Sequence, residues 1–131
     1  MPEPTVPPEV DSFLLRPNPA VIATLRPDGS PHTVATWYDW KDGRVLVNME
    51  ATRLRLRFMR RDSRVSLTAL GEGSWYAHVS LLGRAVSIED DPDLVDIDRL
   101  ARRYTGREFS RRDATRVSAW IEVEPWHAWD L

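Results

Sequence analysis

Short runs in which apolar residues alternate with polar ones, cut by Gly, Pro and Asp turns, occupy most of this chain. Residues 20–25 (AVIATL) form a compact β-rich run that ends at the turn signal Arg26-Pro27-Asp28-Gly29. Residues 31–40 (PHTVATWYDW) alternate and are rich in β-branched and aromatic side chains, which predicts a second strand. Asp42-Gly43 offers the positive-φ geometry of a tight hairpin, and residues 44–49 (RVLVNM) make the third strand of a meander. Residues 65–70 (VSLTAL) predict a fourth strand. After the turn Gly71-Glu72-Gly73, residues 74–89 read as a long fifth strand with Gly83 at a bend or bulge. Residues 116–123 (RVSAWIEV) alternate as a sixth, before Pro125 and the tail WHAWDL.

Helical spacing appears in three places. Residues 9–15 follow Pro7-Pro8 and predict a short helix that stops before Pro17. Residues 51–61 form a basic segment between strands. Asp91-Pro92 reads as N-cap and first helical residue, followed by Leu94, Ile97, Leu100 and Ala101 at helical spacing, with Gly106 closing the element. The order β-β-β-α-β-β-α-β, with hairpins in place of regular βαβ alternation, predicts a mainly β fold with flanking helices: a six-stranded antiparallel barrel. Residues 1–12 are set apart as a Pro-rich leader, and residues 13–131 as one barrel domain.

Composition narrows the chemistry. The 131 residues suit one domain. With no cysteine there is no disulfide, thiolate metal site or Cys nucleophile. His32, His78 and His127 are scattered, without the spacing of a metal motif. The net charge of −2 argues against a general polyanion binder, so no nucleic-acid partner is expected. No apolar run approaches the ~18 residues of a membrane span, and the acidic, Pro-rich start is unlike a signal peptide. A cytoplasmic protein with no membrane association is expected.

The charge distribution says more than the sum. Lys41 is the one lysine among 18 basic residues, and six arginines fall between Arg53 and Arg64. Placed on a helix, Leu54, Leu56, Phe58 and Met59 share a broad apolar arc, while Arg53, Arg57, Arg60 and Arg61 occupy the opposite face. Arg55 alone falls inside the apolar arc. A guanidinium there either snorkels to water or projects into a cleft and meets an anion, because an unpaired buried charge is costly. The segment directly follows the third strand, so strand end and helix start would form one pocket, where helix N–H groups also favour a phosphate.

Several ordered features resemble the pyridoxamine 5'-phosphate oxidase-like split β-barrel superfamily, and within it the small oxidoreductases that use the deazaflavin coenzyme F420. They are ATLRPDG, PHTVATWYDWKDGRVLVNM, TRLRLRFMRRDSRVSL, LLGRAVSIEDDPD and RVSAWIEVEPWHAWD, which span the chain from Phe13 onward. The resemblance implies a split barrel that works as a homodimer, with each cofactor site at the subunit interface. It implies a phosphate site at the strand-to-helix junction, where the family's flavin mononucleotide (FMN) oxidases carry a Ser/Thr-Arg-Lys triplet. Counting back from Arg64-Val65, the Lys position falls on Arg55, the residue the helical wheel isolates. In the same register Asn48, Met49, Thr52 and Arg53 line the phosphate and ribityl chain, with Arg57 beside them, while Thr36 and Trp37 edge the ring. Trp75 or Trp126 would reach the ring from the partner subunit.

Two departures matter. The triplet reads Arg53-Leu54-Arg55, and Ser63 stands where the family has proline. The C-terminal substrate-binding segment of true pyridoxamine phosphate oxidases is also not evident, which argues against vitamin B6 oxidation. The surplus arginines suit a longer, more anionic cofactor, which ranks F420 above FMN. Hydride transfer to an unsaturated organic substrate is then the expected activity; use of FMN, or cofactor carriage without turnover, are the alternatives. Most of the six tryptophans belong to core and interface by default. His32 and His127 read as structural, and His78 as a residue that could face the interface. No Ser/His/Asp arrangement or catalytic acid can be named, as suits chemistry carried by a cofactor.

Overall fold

The computed structural model describes residues 6–131. Residues 1–5, the first part of the predicted leader, lie outside the described residues. Three helices and seven strands follow in the order α1 (Pro8–Leu14), β1 (Ala20–Leu25), β2 (Pro31–Thr36), β3 (Asp39–Lys41), β4 (Arg44–Glu50), α2 (Leu54–Arg61), β5 (Arg64–Leu70), β6 (His78–Asp90), α3 (Val95–Thr105) and β7 (Arg116–Trp129). All strands join one antiparallel sheet in the order β2-β1-β5-β6-β7-β4-β3.

Seven strands replace the expected six, because the alternating stretch 31–40 is broken in two. β2 pairs with β1 at one edge of the sheet, and β3 pairs with β4 at the other. Only Trp37 and Tyr38 separate these two edge strands. At about 3.8 Å per residue, so short a link forces the sheet to curl until its edges nearly meet. The edges are not hydrogen-bonded to each other, so the sheet remains open and not a closed barrel. Tyr38, at 0% exposure, plugs the gap. Its hydroxyl donates to the Leu14 carbonyl at 2.9 Å and accepts from Asn18 Nδ2 at 3.0 Å.

The curled sheet encloses Ile22, Val45, Val47, Met49, Leu67, Val79 and Ala119, all nearly or fully buried. α1 closes one opening with Val10, Phe13 and Leu14, and α2 adds Leu56 and Met59. Val6 and Val10, placed by the sequence in the leader, sit in this same core. Arg103 of α3 ties α1 in place: its guanidinium donates to the carbonyls of Leu14, Leu15, Arg16 and Tyr38 at 2.6–3.0 Å.

Two boundaries differ from expectation for physical reasons. β7 runs on through Pro125 to Trp129, because the β6–β7 register slips between Leu81↔Trp126 and Gly83↔Val123. A proline has no N–H to offer a ladder, and a bulge is where that costs least. Gly83 lies at the same place, where a Cβ would come within 2.0 Å of the Glu122 carbonyl oxygen. α3 begins at Val95 and not at Pro92, with Leu94 in the left-handed region at φ 59°. Asp91 still caps the helix from outside, accepting from the Asp96 N–H at 3.2 Å and the Ile97 N–H at 3.0 Å.

Candidate functional site

A cleft of about 650 Å³ opens between the curled sheet and α3. Ala35, Thr36 and Trp37 enter it from the end of β2, Asn48 from β4, Arg55 from α2 and Arg116 from the start of β7. Ile97, Leu100 and Tyr104 of α3 and Phe109 of the following loop form its other wall. The aromatic side of this wall is tightly set. Trp37 stacks on Tyr104 with ring centroids 5.4 Å apart and planes 8° from parallel, and Phe109 meets Trp37 edge-on at 6.2 Å. Tyr104 is anchored in turn by donating to the Asn18 carbonyl at 2.7 Å.

The polar side is built around two guanidinium groups. Arg55 is half buried, and its Nε is sealed from solvent with no hydrogen-bond partner among the described residues. Burial first, then the charges of Arg53 and Arg116, lower its hold on its proton. No carboxylate pairs with it among the described residues. Arg116 is more deeply buried, at 8% exposure, and burial is also the main cause lowering its pKa, with Glu50 acting in the opposite sense. Its Nε donates to Asn48 Oδ1 at 2.9 Å, its Cζ lies 4.7 Å from the Phe109 ring centre, and its terminal nitrogen is 4.0 Å from Glu50. Cations crowded into a partly desolvated cleft favour an anionic occupant.

Asn48 explains how Arg116 is aimed. Its Nδ2 donates to Asp91 Oδ2 at 3.1 Å and to Ser118 Oγ at 3.0 Å, and Ser118 donates to Asp96 Oδ2 at 2.6 Å. Both amide N–H groups are thus taken by protein partners. β4 and β7 set the pairing directly, with Asn48 opposite Ser118 in the register. Strand parity puts both on the side facing α3 and turns Val47 and Met49 to the enclosed core.

Of the nine residues singled out in the sequence, the structure brings Thr36, Trp37, Asn48 and Arg55 to this cleft. Met49 is wholly buried in the core, on the opposite face of β4 from Asn48. Thr52, Arg53 and Arg57 are exposed at or beside the start of α2 and do not line the cleft, and Arg53 lies 3.8 Å from Glu50. Trp75 is 65% exposed, stacked on Tyr76 at 4.3 Å, in a turn whose Glu72 does reach the cleft. The sequence pattern does not single out Arg116, Tyr104 or Phe109, which also line the cleft. Arg116 opens β7 as its one arginine, ahead of an alternating run; nothing local marks the two aromatics. His32 sits edge-on to Phe58 and contacts Arg26, while His78 and His127 neighbour each other across β6 and β7 with ring centroids 5.7 Å apart. Among the described residues, no helix is long and apolar enough to cross a membrane.

A family model for pyridoxamine 5'-phosphate oxidase matches residues 6–130. Among solved structures, one titled F420 reductase is 24% identical with a TM-score of 0.84, covering 93% of this chain and 98% of its own. A conserved hypothetical protein from Mycobacterium tuberculosis is 27% identical at TM-score 0.73, covering 93% of this chain and 82% of its own. General Stress Protein 26 from Bacillus anthracis is 17% identical at TM-score 0.72, covering 93% and 92% respectively. No curated protein sequence matches the chain.

Proposed function

Since the chain belongs to the pyridoxamine 5'-phosphate oxidase family, we propose that its cleft binds a deazaflavin of the coenzyme F420 class and works as an oxidoreductase on an unsaturated organic substrate. One observation carries this reading: the buried Nε of Arg55, without a partner among the described residues, lies in a cleft with a second guanidinium on one side and an aromatic wall on the other. A desolvated donor of this kind is costly unless something anionic meets it. The donor set therefore fits a cofactor that joins a phosphoryl group to a flat ring. The similarity to the structure titled F420 reductase supports the deazaflavin.

When bound, a deazaflavin supplies a hydride donor and acceptor at its ring. The chain's own residues have the simpler tasks of holding and excluding. Arg55 receives the anionic end, in a cleft that Arg116 also lines. The Trp37–Tyr104 stack offers an apolar edge for the ring, and Phe109 narrows the access of water. No side chain is assigned as a catalytic acid. The same reading includes a cytoplasmic address and a homodimer. The dimer is supported by the open outer face of the sheet, where Val21 and Leu82 are exposed and Ala35, a cleft residue, lies opposite Val21 in the register.

FMN is the competing occupant, since two arginines also suit a phosphomonoester. Titration of the purified protein with F420 and with FMN, followed by fluorescence quenching, separates the two. Tight F420 binding with oxidation of reduced F420 by an enone or tetrapyrrole supports the proposal. A yellow protein that retains FMN would replace deazaflavin by flavin. F420 binding without turnover across such a panel would leave a carrier. Arg55→Ala is expected to weaken cofactor binding by about 1.5–3 kcal/mol, the range for a hydrogen bond to a charged group. Unchanged affinity in that variant would remove Arg55 from the site.

A further inference from the structure

We infer that Arg116 is the second arm of a phosphoryl clamp shared with Arg55, and that Asn48 serves the site by holding Arg116 and not by touching the cofactor. This rests on the cofactor-binding reading above and adds to it which residues grip the anion.

Three observations meet at Arg116. First, the side chain is buried at the root of β7, yet among the described residues only its Nε makes a hydrogen bond, to Asn48 Oδ1 at 2.9 Å. The two terminal nitrogens remain for something else; the closest carboxylate, Glu50, stands 4.0 Å from one of them. Second, it lines the same cleft as Arg55, whose buried Nε has no partner among the described residues. Two like charges placed together in a partly dry cleft repel unless an anion lies between them. Third, the group that fixes Arg116 is over-determined. Asn48 is gripped by Asp91 and Ser118, Ser118 by Asp96, and the Asp91 N–H donates to the Arg116 carbonyl at 2.9 Å.

Such a network leaves the guanidinium little rotameric freedom, with its Nε–Cζ edge tied back and its free edge facing the cleft. A planar fork held in advance loses little entropy on meeting a tetrahedral oxyanion. Asn48 itself has no N–H left to offer an anion, since both amide hydrogens go to protein acceptors and its carbonyl oxygen faces Arg116. Its proximity to the cleft is a consequence of its supporting task. Phe109 stacks beside the Arg116 guanidinium at 4.7 Å, which keeps that face dry and the charge strong.

The experiment compares ligands that differ by the phosphoryl group. Wild type, Arg116→Met, Arg116→Lys and Asn48→Ala are titrated with two pairs: FMN and riboflavin, and F420 and its phosphate-free deazaflavin nucleoside. Thermal unfolding is recorded to confirm that each variant folds. For the pair that wild type binds, a preference for the phosphorylated member is expected. Arg116→Met should reduce that preference by about 10- to 100-fold and leave the nucleoside's affinity alone, as for a lost charged hydrogen bond. Arg116→Lys, with charge but no fork, should fall between. Asn48→Ala should lower the same preference although it removes no group from the ligand. A preference that survives Arg116→Met, or an equal loss for both members of a pair, overturns the clamp. If neither pair binds wild type, the cofactor reading itself falls. Inorganic phosphate then decides: joint shifts of the Arg55 and Arg116 Nε–H resonances support the clamp, and a shift of neither overturns it.

Discussion

Tyr38 shows how much of the fold can rest on one side chain. It spans the gap between the two edges of the sheet and reaches Leu14 and Asn18, so sheet, α1 and the entry to β1 share one hydroxyl. Burial, as the largest cause, pushes its phenol up to about 12. An acid whose folded-state pKa exceeds its unfolded value of about 10 holds its proton longer when folded, so unfolding releases protons above that value. Stability should therefore fall as pH rises from about 10 toward 12. Tyr104, also raised mainly by burial, pulls the same way. Tyr38→Phe should cost about 1–2 kcal/mol at neutral pH through the hydroxyl's lost bonds. It should also flatten the alkaline decline, a change that denaturant titrations at pH 8 and pH 11 would detect. An unaltered slope would mean that the phenol does not feel its burial.

At the scale of elements, the loop after α3 is the part that decides the cleft's shape. Asp98 holds it: both carboxylate oxygens accept from Arg112, at 2.8 and 3.0 Å, and Oδ1 also accepts from the Phe109 N–H at 3.0 Å. Its hydrogen bond with Arg112 is the main cause that lowers the Asp98 pKa. A depressed folded-state pKa stabilises above the unfolded value and is lost as pH falls through the folded one, so the loop should loosen only in acid. Asp98→Ala removes the anchor at every pH. Amide exchange across residues 107–115 should accelerate and cofactor affinity should drop, while the strands keep their protection. Equal acceleration in β4 and β7 would show a global defect.

For the whole molecule, the exposed outer face of the sheet is the open question that assembly answers. If the proposed homodimer forms through that face, sedimentation should give twice the 15.1 kDa of the chain. Leu82→Glu, which puts a charge at an exposed apolar position on β6, should return the protein to single chains. A cleft that needs a second copy should then bind cofactor more weakly. Monomeric wild type at micromolar concentration would dismiss the dimer and leave the cleft complete within one chain.

The amino-acid order by itself determined the antiparallel hairpin plan, the basic helix after the third long strand and the odd position of Arg55, because strand alternation and helical spacing are local patterns. Family membership was legible too, since the ordered motifs are distributed along the chain. Only the tertiary structure decided that residues 31–40 make two strands on opposite edges, that Pro125 sits inside a strand at a bulge, and that Met49 faces away from the cleft. It also decided that Tyr104, Phe109 and Arg116 complete the cleft. The physical reason is common to all of them: each depends on which distant backbone supplies a hydrogen bond or a packing surface. Asn48 meets Ser118 and Asp91, and Trp37 meets Tyr104, only once the sheet has curled and α3 has closed over it.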